Sequence, residues 1–265
     1  MKKLLFTFLF LTLGTSWGGA LDDGRAAAVR KDYTTALKLW RPLAEQGDAR
    51  AQYNLGLMYY NGYGVIQDYK KAVKWYRRAA EQGLAEAQYN LGVMHAKGKG
   101  VIRDYKESVK WYRRSAEQSY ARAQYNLGVM YRDGQGATQD YKEAVKWFRL
   151  AAEQGLAEAQ YNLGRMYQVG QGATQDYKEA ARLWRLAAEQ GFAAAQADFG
   201  VMYAYGKWVP QDYARAHMWY NLASAAGDAD GTKNRDDIAK LMTPQQIEKA
   251  QEMAKACQAR NFKGC

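Results

Sequence analysis

The chain has 265 residues, of which 38 are lysine or arginine and 27 are aspartate or glutamate, so its formal net charge is +11. It contains only 2 histidines and 2 cysteines. Two isolated histidines do not make a metal site. The composition therefore disfavours a metalloenzyme, and we expect neither a metal nor another cofactor.

The N-terminus has the pattern of a secretory signal. Lys2 and Lys3 precede an apolar run from Leu4 to Leu13, and small residues follow at 18–20. We therefore predict a signal peptide over 1–20 and a bacterial protein that is periplasmic or secreted. About ten apolar residues cannot cross roughly 30 Å of hydrocarbon, so no stable membrane insertion is expected after cleavage.

From Ala51 onwards the sequence repeats every 36 residues, with an Asp-Tyr pair in each copy. Each unit has two stripes of apolar residues at helical spacing, which predicts a helix hairpin. One hairpin cannot bury its own apolar face, so the units must stack. The predicted fold is all-α: a right-handed superhelical solenoid of helix hairpins with capping helices at both ends. The predicted divisions are a capping hairpin 21–50, five repeats 51–86, 87–122, 123–158, 159–194 and 195–230, and C-terminal caps 231–265.

Glycine, aspartate and proline predict where helices begin, end and bend. Gly62 and Gly64 close the first helix of a unit, because glycine tolerates the left-handed conformation, and Asp68 caps the second helix. Gly56 lies inside the first helix, where glycine costs on the order of 1 kcal/mol relative to alanine. This position predicts a close helix approach. Pro42 predicts a kink or an early break in the second helix of the opening hairpin.

The C-terminal region predicts two further helices and a crosslink. Thr243 opens a capping box with proline at the first helical position, and the helix that follows has an apolar face suited to covering the last repeat. Cys257 and Cys265 are predicted to form a disulfide that pins the tail, because an exported protein meets oxidising conditions. A redox or metal pair is disfavoured, since the spacing is not Cys-x2-Cys and no histidine lies nearby.

The repeats resemble the Sel-one-like repeat family, a relative of the tetratricopeptide repeats. The shared features are the Ala-x3-Leu-Gly-x2-Tyr start, the Gly-x-Gly pair, the Asp-x3-Ala-x2-Trp stretch and the Ala-Ala-x2-Gly close. Ser119, Leu183 and Trp208 depart from this pattern. The resemblance implies an adaptor role, including interactions between bacteria and host cells. Some cysteine-rich members have been assigned β-lactamase activity, which makes a hydrolase for cell-wall or β-lactam substrates the alternative.

The first helices are expected to line the concave wall of the solenoid. On them, the third, seventh and tenth positions of each unit share one stripe that faces away from the core. Repeated tyrosines with varying neighbours would suit a groove that binds a protein or peptide. Equally, the tyrosines would pack between adjacent repeats and only maintain curvature. The candidate partner-binding residues are Tyr53, Leu57, Tyr60, Tyr89, Val93, Tyr125, Arg132, Tyr161, Arg165 and Gln168.

The second helices carry a repeated basic triplet, such as Lys70, Lys74 and Arg77. It would attract an anionic envelope polymer, or it would be a solvated face partly neutralised by glutamates four residues beyond each arginine. The second interpretation is favoured, and export disfavours nucleic acid. The sequence lacks a Ser-x2-Lys dyad, a His-Glu-x2-His motif and a phosphate-binding loop. We therefore expect a non-catalytic exported scaffold whose partner is a protein or peptide.

Overall fold

A computed structural model describes residues 17–265, so most of the predicted signal peptide lies outside the described residues. The described part consists of fourteen α-helices and contains no strand. The helices are α1 (Trp17–Val29), α2 (Tyr33–Glu45), α3 (Ala49–Asn61), α4 (Tyr69–Glu81), α5 (Ala85–Lys97), α6 (Tyr105–Glu117), α7 (Ala121–Asp133), α8 (Tyr141–Glu153), α9 (Ala157–Val169), α10 (Tyr177–Ala188), α11 (Ala193–Tyr205), α12 (Tyr213–Ala225), α13 (Ala229–Ala239) and α14 (Pro244–Ala259).

The helices form antiparallel hairpins, and the chain divides into two compact units. Unit 1 comprises Gly98–Ile102 and the described part of Met1–Met94, and unit 2 comprises His95–Lys97 and Arg103–Cys265. In each unit the odd-numbered helix of a hairpin packs on the even-numbered helix that follows it, for example α3 on α4 and α11 on α12. The predicted all-α fold of tandem helix hairpins is confirmed.

The predicted helix ends are confirmed. The Asp68 side chain accepts a hydrogen bond of 2.9 Å from the backbone N–H of Lys71 at the start of α4. This bond holds the pKa of the Asp68 carboxyl below its usual value. At the end of α3, Gly62 has φ +76°, and its N–H bonds the carbonyl of Met58. Each hairpin therefore has a left-handed stop on its first helix and a carboxylate cap on its second.

Glycines inside the first helices and in the turns let neighbouring elements touch. A Cβ on Gly56 would lie 2.5 Å from the Tyr76 ring, so α3 and α4 can approach this closely only with glycine at this position. A Cβ on Gly136 would lie 2.2 Å from the carbonyl oxygen of Tyr105, and Gly136 has φ +72°. The predicted close approach of the two helices at Gly56 is confirmed. The turn glycines allow a second close approach, between each turn and the start of the second helix of the preceding hairpin.

At two positions where another residue replaces the glycine of the repeat pattern, the backbone still has the left-handed conformation that favours glycine. Ser119 has φ +64° and Trp208 has φ +63°. Side chains other than glycine reach this region only at some energetic penalty. The Trp208 ring stacks on Tyr177 with centroids 4.2 Å apart, which offsets part of that penalty.

Pro42 does not end its helix early. The helix α2 continues through Pro42 to Glu45, and Trp40, Leu43 and Ala44 are buried around it. Proline removes one backbone hydrogen bond, but the packing of the apolar face on both sides of Pro42 holds the helix together.

A buried glutamine ties each hairpin to the next. Gln52 donates a hydrogen bond of 3.0 Å to the carbonyl of Ala44, and its own oxygen accepts one of 2.8 Å from Gln82. The same acceptor pairing recurs in unit 2, at Gln154 to Gln124 and at Gln190 to Gln160. Gln196 keeps the bond to the Ala188 carbonyl, but its side-chain oxygen is buried and has no partner among the described residues. Alanine stands at position 226, where the partner glutamine would be expected from the 36-residue period.

The last hairpin is covered by α13 and α14. The capping box at Thr243 is present, and Ala250, Ala254 and Cys257 are buried. The helix α14 packs on α12. Cys257 and Cys265 lie at bonding distance, with Cα atoms 5.6 Å apart. His217, on α12, is also buried; burial, followed by the charge of Arg235, lowers its pKa.

Candidate functional site

The predicted partner-binding residues lie on one side of the first helices, which we call the first-helix face. In unit 1 this face belongs to α3 and α5, and in unit 2 to α7, α9 and α11. Nine of the ten predicted residues are half-buried, and Arg165 is exposed.

In unit 1 four predicted residues line one cavity of about 240 Å³ between α3 and α5. Leu57 and Tyr60 come from α3, and Tyr89 and Val93 come from α5. The remaining lining residues are Asn61, Tyr76, Asn90 and Met94. The cavity therefore combines apolar and aromatic walls with two amide side chains, a composition suited to an apolar side chain that carries a polar backbone.

The floor and the rim of this cavity have different electrostatic character. Tyr76 is 1% exposed, and burial raises the pKa of its hydroxyl. At the rim, the Lys99 ammonium donates a hydrogen bond of 3.2 Å to the Tyr60 hydroxyl and lies 4.9 Å from the centre of the Tyr69 ring. The hydrogen bond to Tyr60 raises the pKa of Lys99, so this rim carries a fixed positive charge.

Tyr53 lines a second cavity in unit 1, of about 440 Å³. Arg25, Arg50, Asn54 and Glu86 bring polar groups to it, and Leu21 and Leu84 bring apolar ones. The Tyr53 ring also packs against Tyr76 at 5.9 Å. The structure therefore separates Tyr53 from the cavity that the other predicted residues of unit 1 line.

In unit 2 the predicted tyrosines lie between neighbouring helices. The Tyr125 ring packs on Phe148 of the same hairpin at 5.7 Å, and its hydroxyl is hydrogen-bonded to Asn162 of the next hairpin. Arg132 donates a hydrogen bond of 2.6 Å to the same Asn162 side chain and pairs with Asp133 at 2.7 Å. Burial raises the pKa of Tyr125.

The same arrangement recurs one repeat later with a carboxylate. The Tyr161 ring packs on Trp184 of its own hairpin at 6.4 Å and on Phe192, at the start of the next hairpin, at 5.3 Å. Its hydroxyl is hydrogen-bonded to Asp198. Burial, followed by the charge of Asp198, raises the pKa of Tyr161 to about 12. Burial also raises the pKa of Asp198, against the opposing effects of the Tyr161 bond and the Arg165 charge. Gln168 is half-buried, and its backbone carbonyl accepts a hydrogen bond of 2.8 Å from the side-chain amide of Gln175.

These contacts favour a packing role for the repeated tyrosines of unit 2. A tyrosine that touches the next helix of its own hairpin and bonds the next hairpin fixes their separation, whatever else it contacts. The residue after each tyrosine was not among the predicted site residues. It is Asn54, Asn90, Asn126 and Asn162, and in the fifth repeat, where Ala197 replaces the tyrosine, it is Asp198. The sequence shows that this residue recurs, but it does not show that the residue pairs with the tyrosine of the preceding repeat.

The exposed faces of the second helices in unit 2 are largely self-neutralised. Lys146 pairs with Glu143 at 3.3 Å, and Arg182 pairs with Glu179 at 2.7 Å. The Arg149 guanidinium donates 2.7 Å to the hydroxyl of Tyr167 in the next hairpin. Exposed pairs of this kind contribute little to stability, on the order of 0–1 kcal/mol each. They nevertheless reduce the positive field available to an anionic partner.

Groups of side chains suited to a metal ion and helices suited to crossing a membrane are both absent from residues 17–265. No group of three or more histidine, cysteine, aspartate or glutamate side chains in this part is arranged to hold a metal ion. None of the helices in this part has the length and apolar character needed to cross a membrane.

Comparison with known proteins places the chain in a family. The sequence profile of the Sel1 repeat matches six times, at residues 17–48, 49–84, 85–120, 121–156, 157–192 and 193–228. The first match covers the opening hairpin, before the five 36-residue copies. No curated protein matches the sequence.

Two solved structures are similar over most of the chain. One is a protective antigen of uropathogenic Escherichia coli with an SLR fold, 36% identical, with a TM-score of 0.86 over 93% of this chain and 55% of the antigen. This chain therefore spans about half the length of that antigen. The other is a Sel1 repeat protein from Oxalobacter formigenes, 32% identical, with a TM-score of 0.77 over 89% of this chain and 99% of that protein. The chain belongs to the Sel1 repeat family.

Proposed function

We propose that this protein is an exported, non-catalytic scaffold that binds a protein or peptide segment on its first-helix face. Sel1 repeat proteins are generally scaffolds for protein-protein interaction. The observation that carries the proposal for this chain is the cavity lined by Leu57, Tyr60, Tyr89 and Val93 in unit 1. An apolar side chain of the partner would enter it, while Asn61 and Asn90 would bond the partner's backbone.

The chain itself supplies variants that test this cavity. The position of Leu57 and Val93 is occupied by Arg165 in the fourth 36-residue repeat, where the hairpin folds with an exposed arginine. Leu57→Arg and Val93→Arg are therefore expected to fold while filling the cavity with a charged chain. Random dodecapeptides on phage would be selected on the native protein and then titrated by fluorescence anisotropy. We expect each arginine variant to bind the selected peptides at least tenfold more weakly.

A matched control distinguishes loss of the cavity from a general change of charge. Thr138→Arg and Thr174→Arg add the same charge at exposed turn residues of unit 2 and should leave peptide affinity unchanged. Equal binding by the native chain and by Val93→Arg, with native-like circular dichroism, would contradict the proposal. Tyr125→Ala and Tyr161→Ala are poor tests, because these rings hold neighbouring helices together.

Export and the disulfide belong to the same proposal. The Lys2-Lys3 start and the apolar run support a signal peptide, and the proximity of Cys257 and Cys265 suits an oxidising compartment. N-terminal sequencing of protein recovered from a bacterial periplasm or medium tests cleavage after Ala20. The comparisons give no support to the hydrolase alternative.

A further inference from the structure

The exposed apolar side chains of unit 1 are concentrated on one edge. Four large apolar residues are exposed among the side chains described in this unit: Val29 at 84%, Tyr63 at 44%, Ile66 at 92% and Ile102 at 90%. All four lie at the turns between the first and second helices of successive hairpins. We call this surface the turn edge. Single exposed apolar residues are common, but equivalent turns that each present one are a pattern.

The turns of this edge are in contact with one another's hairpins. The Tyr63 ring stacks on Tyr33, at the start of α2, with centroids 4.6 Å apart. One hairpin later, a Cβ on Gly100 would lie 2.3 Å from the carbonyl oxygen of Tyr69, at the start of α4. Each turn therefore lies against the beginning of the preceding second helix. This packing makes the turn edge a continuous surface within unit 1.

The turn edge is also basic. Its five cationic residues are Arg30, Lys31, Lys70, Lys71 and Lys99. The acidic residues in these turns are Asp32 and Asp68, and both carboxylates accept hydrogen bonds from backbone N–H groups as helix caps. Asp68 also pairs with the Lys71 ammonium at 3.6 Å. The positive charge is therefore close to the apolar side chains and is only partly compensated.

Unit 2 differs at the equivalent positions of two of its turns, although Val169, Tyr205 and Trp208 are exposed apolar residues at other positions in its turns. Thr138 and Thr174 stand where unit 1 has Ile66 and Ile102, and Glu143 and Glu179 stand where it has Lys71. Lys142 and Lys178 retain the lysine of position 70, so the repeat folds without the isoleucine and without Lys71, and the hairpin itself does not require these two residues. Their presence together in unit 1 needs another explanation.

We propose that the turn edge of unit 1 docks on an anionic lipid surface. Val29, Ile66 and Ile102 would enter the interfacial layer, while the lysines and arginine attract acidic headgroups. A soluble anionic polymer offers charge but no apolar phase for the isoleucines, which is why the lipid surface fits better. The contact is peripheral and involves no spanning segment. It does not depend on the cavity between α3 and α5.

Vesicle flotation tests this proposal. The apolar run at 4–13 would itself adsorb to lipid, so the chain is used from Trp17 onwards, which keeps all the described helices. Vesicles of phosphatidylglycerol and phosphatidylethanolamine are compared with vesicles of phosphatidylcholine. The expected result is binding to the anionic vesicles, weakened by 0.5 M salt, and none to the zwitterionic ones.

The isoleucine variants introduce a residue that unit 2 already accepts at these positions, and the lysine variants remove two charges without changing an apolar side chain. The double variant Ile66→Thr and Ile102→Thr should bind anionic vesicles at least tenfold more weakly, and so should Lys70→Gln with Lys71→Gln. The matched control, Val169→Thr with Leu241→Thr, removes two exposed apolar side chains from unit 2 and should bind like the native chain. Circular dichroism and thermal unfolding verify that each variant folds.

Three results would overturn the proposal. The first is that the native chain does not float with anionic vesicles. The second is unchanged binding by the folded isoleucine double variant, which would show that charge alone is responsible. The third is equally strong binding to dextran sulfate that does not depend on the isoleucines, which would identify the edge as a polyanion site.

Discussion

The unpaired oxygen of Gln196 gives a sharp prediction about stability. Gln196 is 1% exposed, and its side-chain oxygen has no partner among the described residues. In earlier hairpins the equivalent oxygen accepts a hydrogen bond of 2.7–2.8 Å from the side chain of a glutamine thirty residues later. Ala226 is exposed and occupies that later position. Replacing it with glutamine should supply the missing donor.

The size of the effect follows from the energetics of buried polar groups. A buried acceptor without a donor costs about 1–3 kcal/mol, and a new intramolecular hydrogen bond contributes about 0.5–1.5 kcal/mol net. Ordering a glutamine side chain offsets part of this gain. We expect Ala226→Gln to raise the free energy of unfolding by about 1 kcal/mol. For a chain of this size the melting temperature should rise by roughly 2–4 °C.

The assay is urea and thermal unfolding followed by circular dichroism, together with hydrogen exchange across α11–α13. Repeat proteins unfold by nearest-neighbour interactions, so protection should increase locally at the last hairpin. Ala226→Leu is the matched control, since it adds comparable bulk without a donor. The opposite change, Gln154→Ala, leaves the Gln124 oxygen unpaired and should cost about 1–3 kcal/mol. The reasoning is refuted if Ala226→Gln is no more stable than Ala226→Leu.

Three further predictions concern single positions. Gly136→Ala should destabilise the chain by at least about 2 kcal/mol in urea unfolding, because a left-handed φ is strained and the new Cβ meets a carbonyl oxygen; Gly155→Ala, which meets nothing within 4 Å, should cost only about 1 kcal/mol. His217 has a lowered pKa, so the unfolded state binds its proton more readily, and stability should fall as pH drops below about 6.5. His217→Val should remove that slope in thermal unfolding measured from pH 5 to pH 8. Asp198→Asn should raise the melting temperature at pH 7, because burial disfavours the carboxylate, and Asn162→Asp should lower it.

Each of these has its own contrary result. Equal losses at Gly136 and Gly155 would show that the close contact is unimportant. An unchanged pH profile in His217→Val would assign the acid sensitivity to another group. Because the pKa of Asp198 is raised in the folded state, the ionised carboxylate destabilises the fold at neutral pH. This destabilisation disappears below about pH 3.8, where the carboxyl is protonated in both the folded and the unfolded state. The benefit of Asp198→Asn should therefore disappear in acid, and a benefit that persists there would need a different cause.

The sequence was sufficient for the features that are local to one hairpin. The Asp68 cap, the Gly62 stop and the capping box at Thr243 all depend on residues within about one helical turn of each other, and the 36-residue period is visible directly in the repeated residues. The close approach at Gly56 was also readable, because an otherwise unfavourable glycine recurred at one position. Of the two outcomes predicted for Pro42, the early break does not occur, since tertiary packing on both sides of it keeps α2 continuous.

Only the tertiary structure decided which side chains meet across hairpins. The sequence shows that Tyr125, Asn162 and Asp198 belong to repeated positions, but their pairing depends on the distance between stacked helices. The sequence also shows Gln196 and Ala226. That the side-chain oxygen of Gln196 lacks a donor becomes visible only when the structure places this oxygen in the core. Exposure of Ile66 likewise depends on how its turn lies against the neighbouring hairpin. The periodicity of the sequence determines which face of each helix is buried. Contacts between repeats are set by the geometry of stacking, which no local pattern encodes.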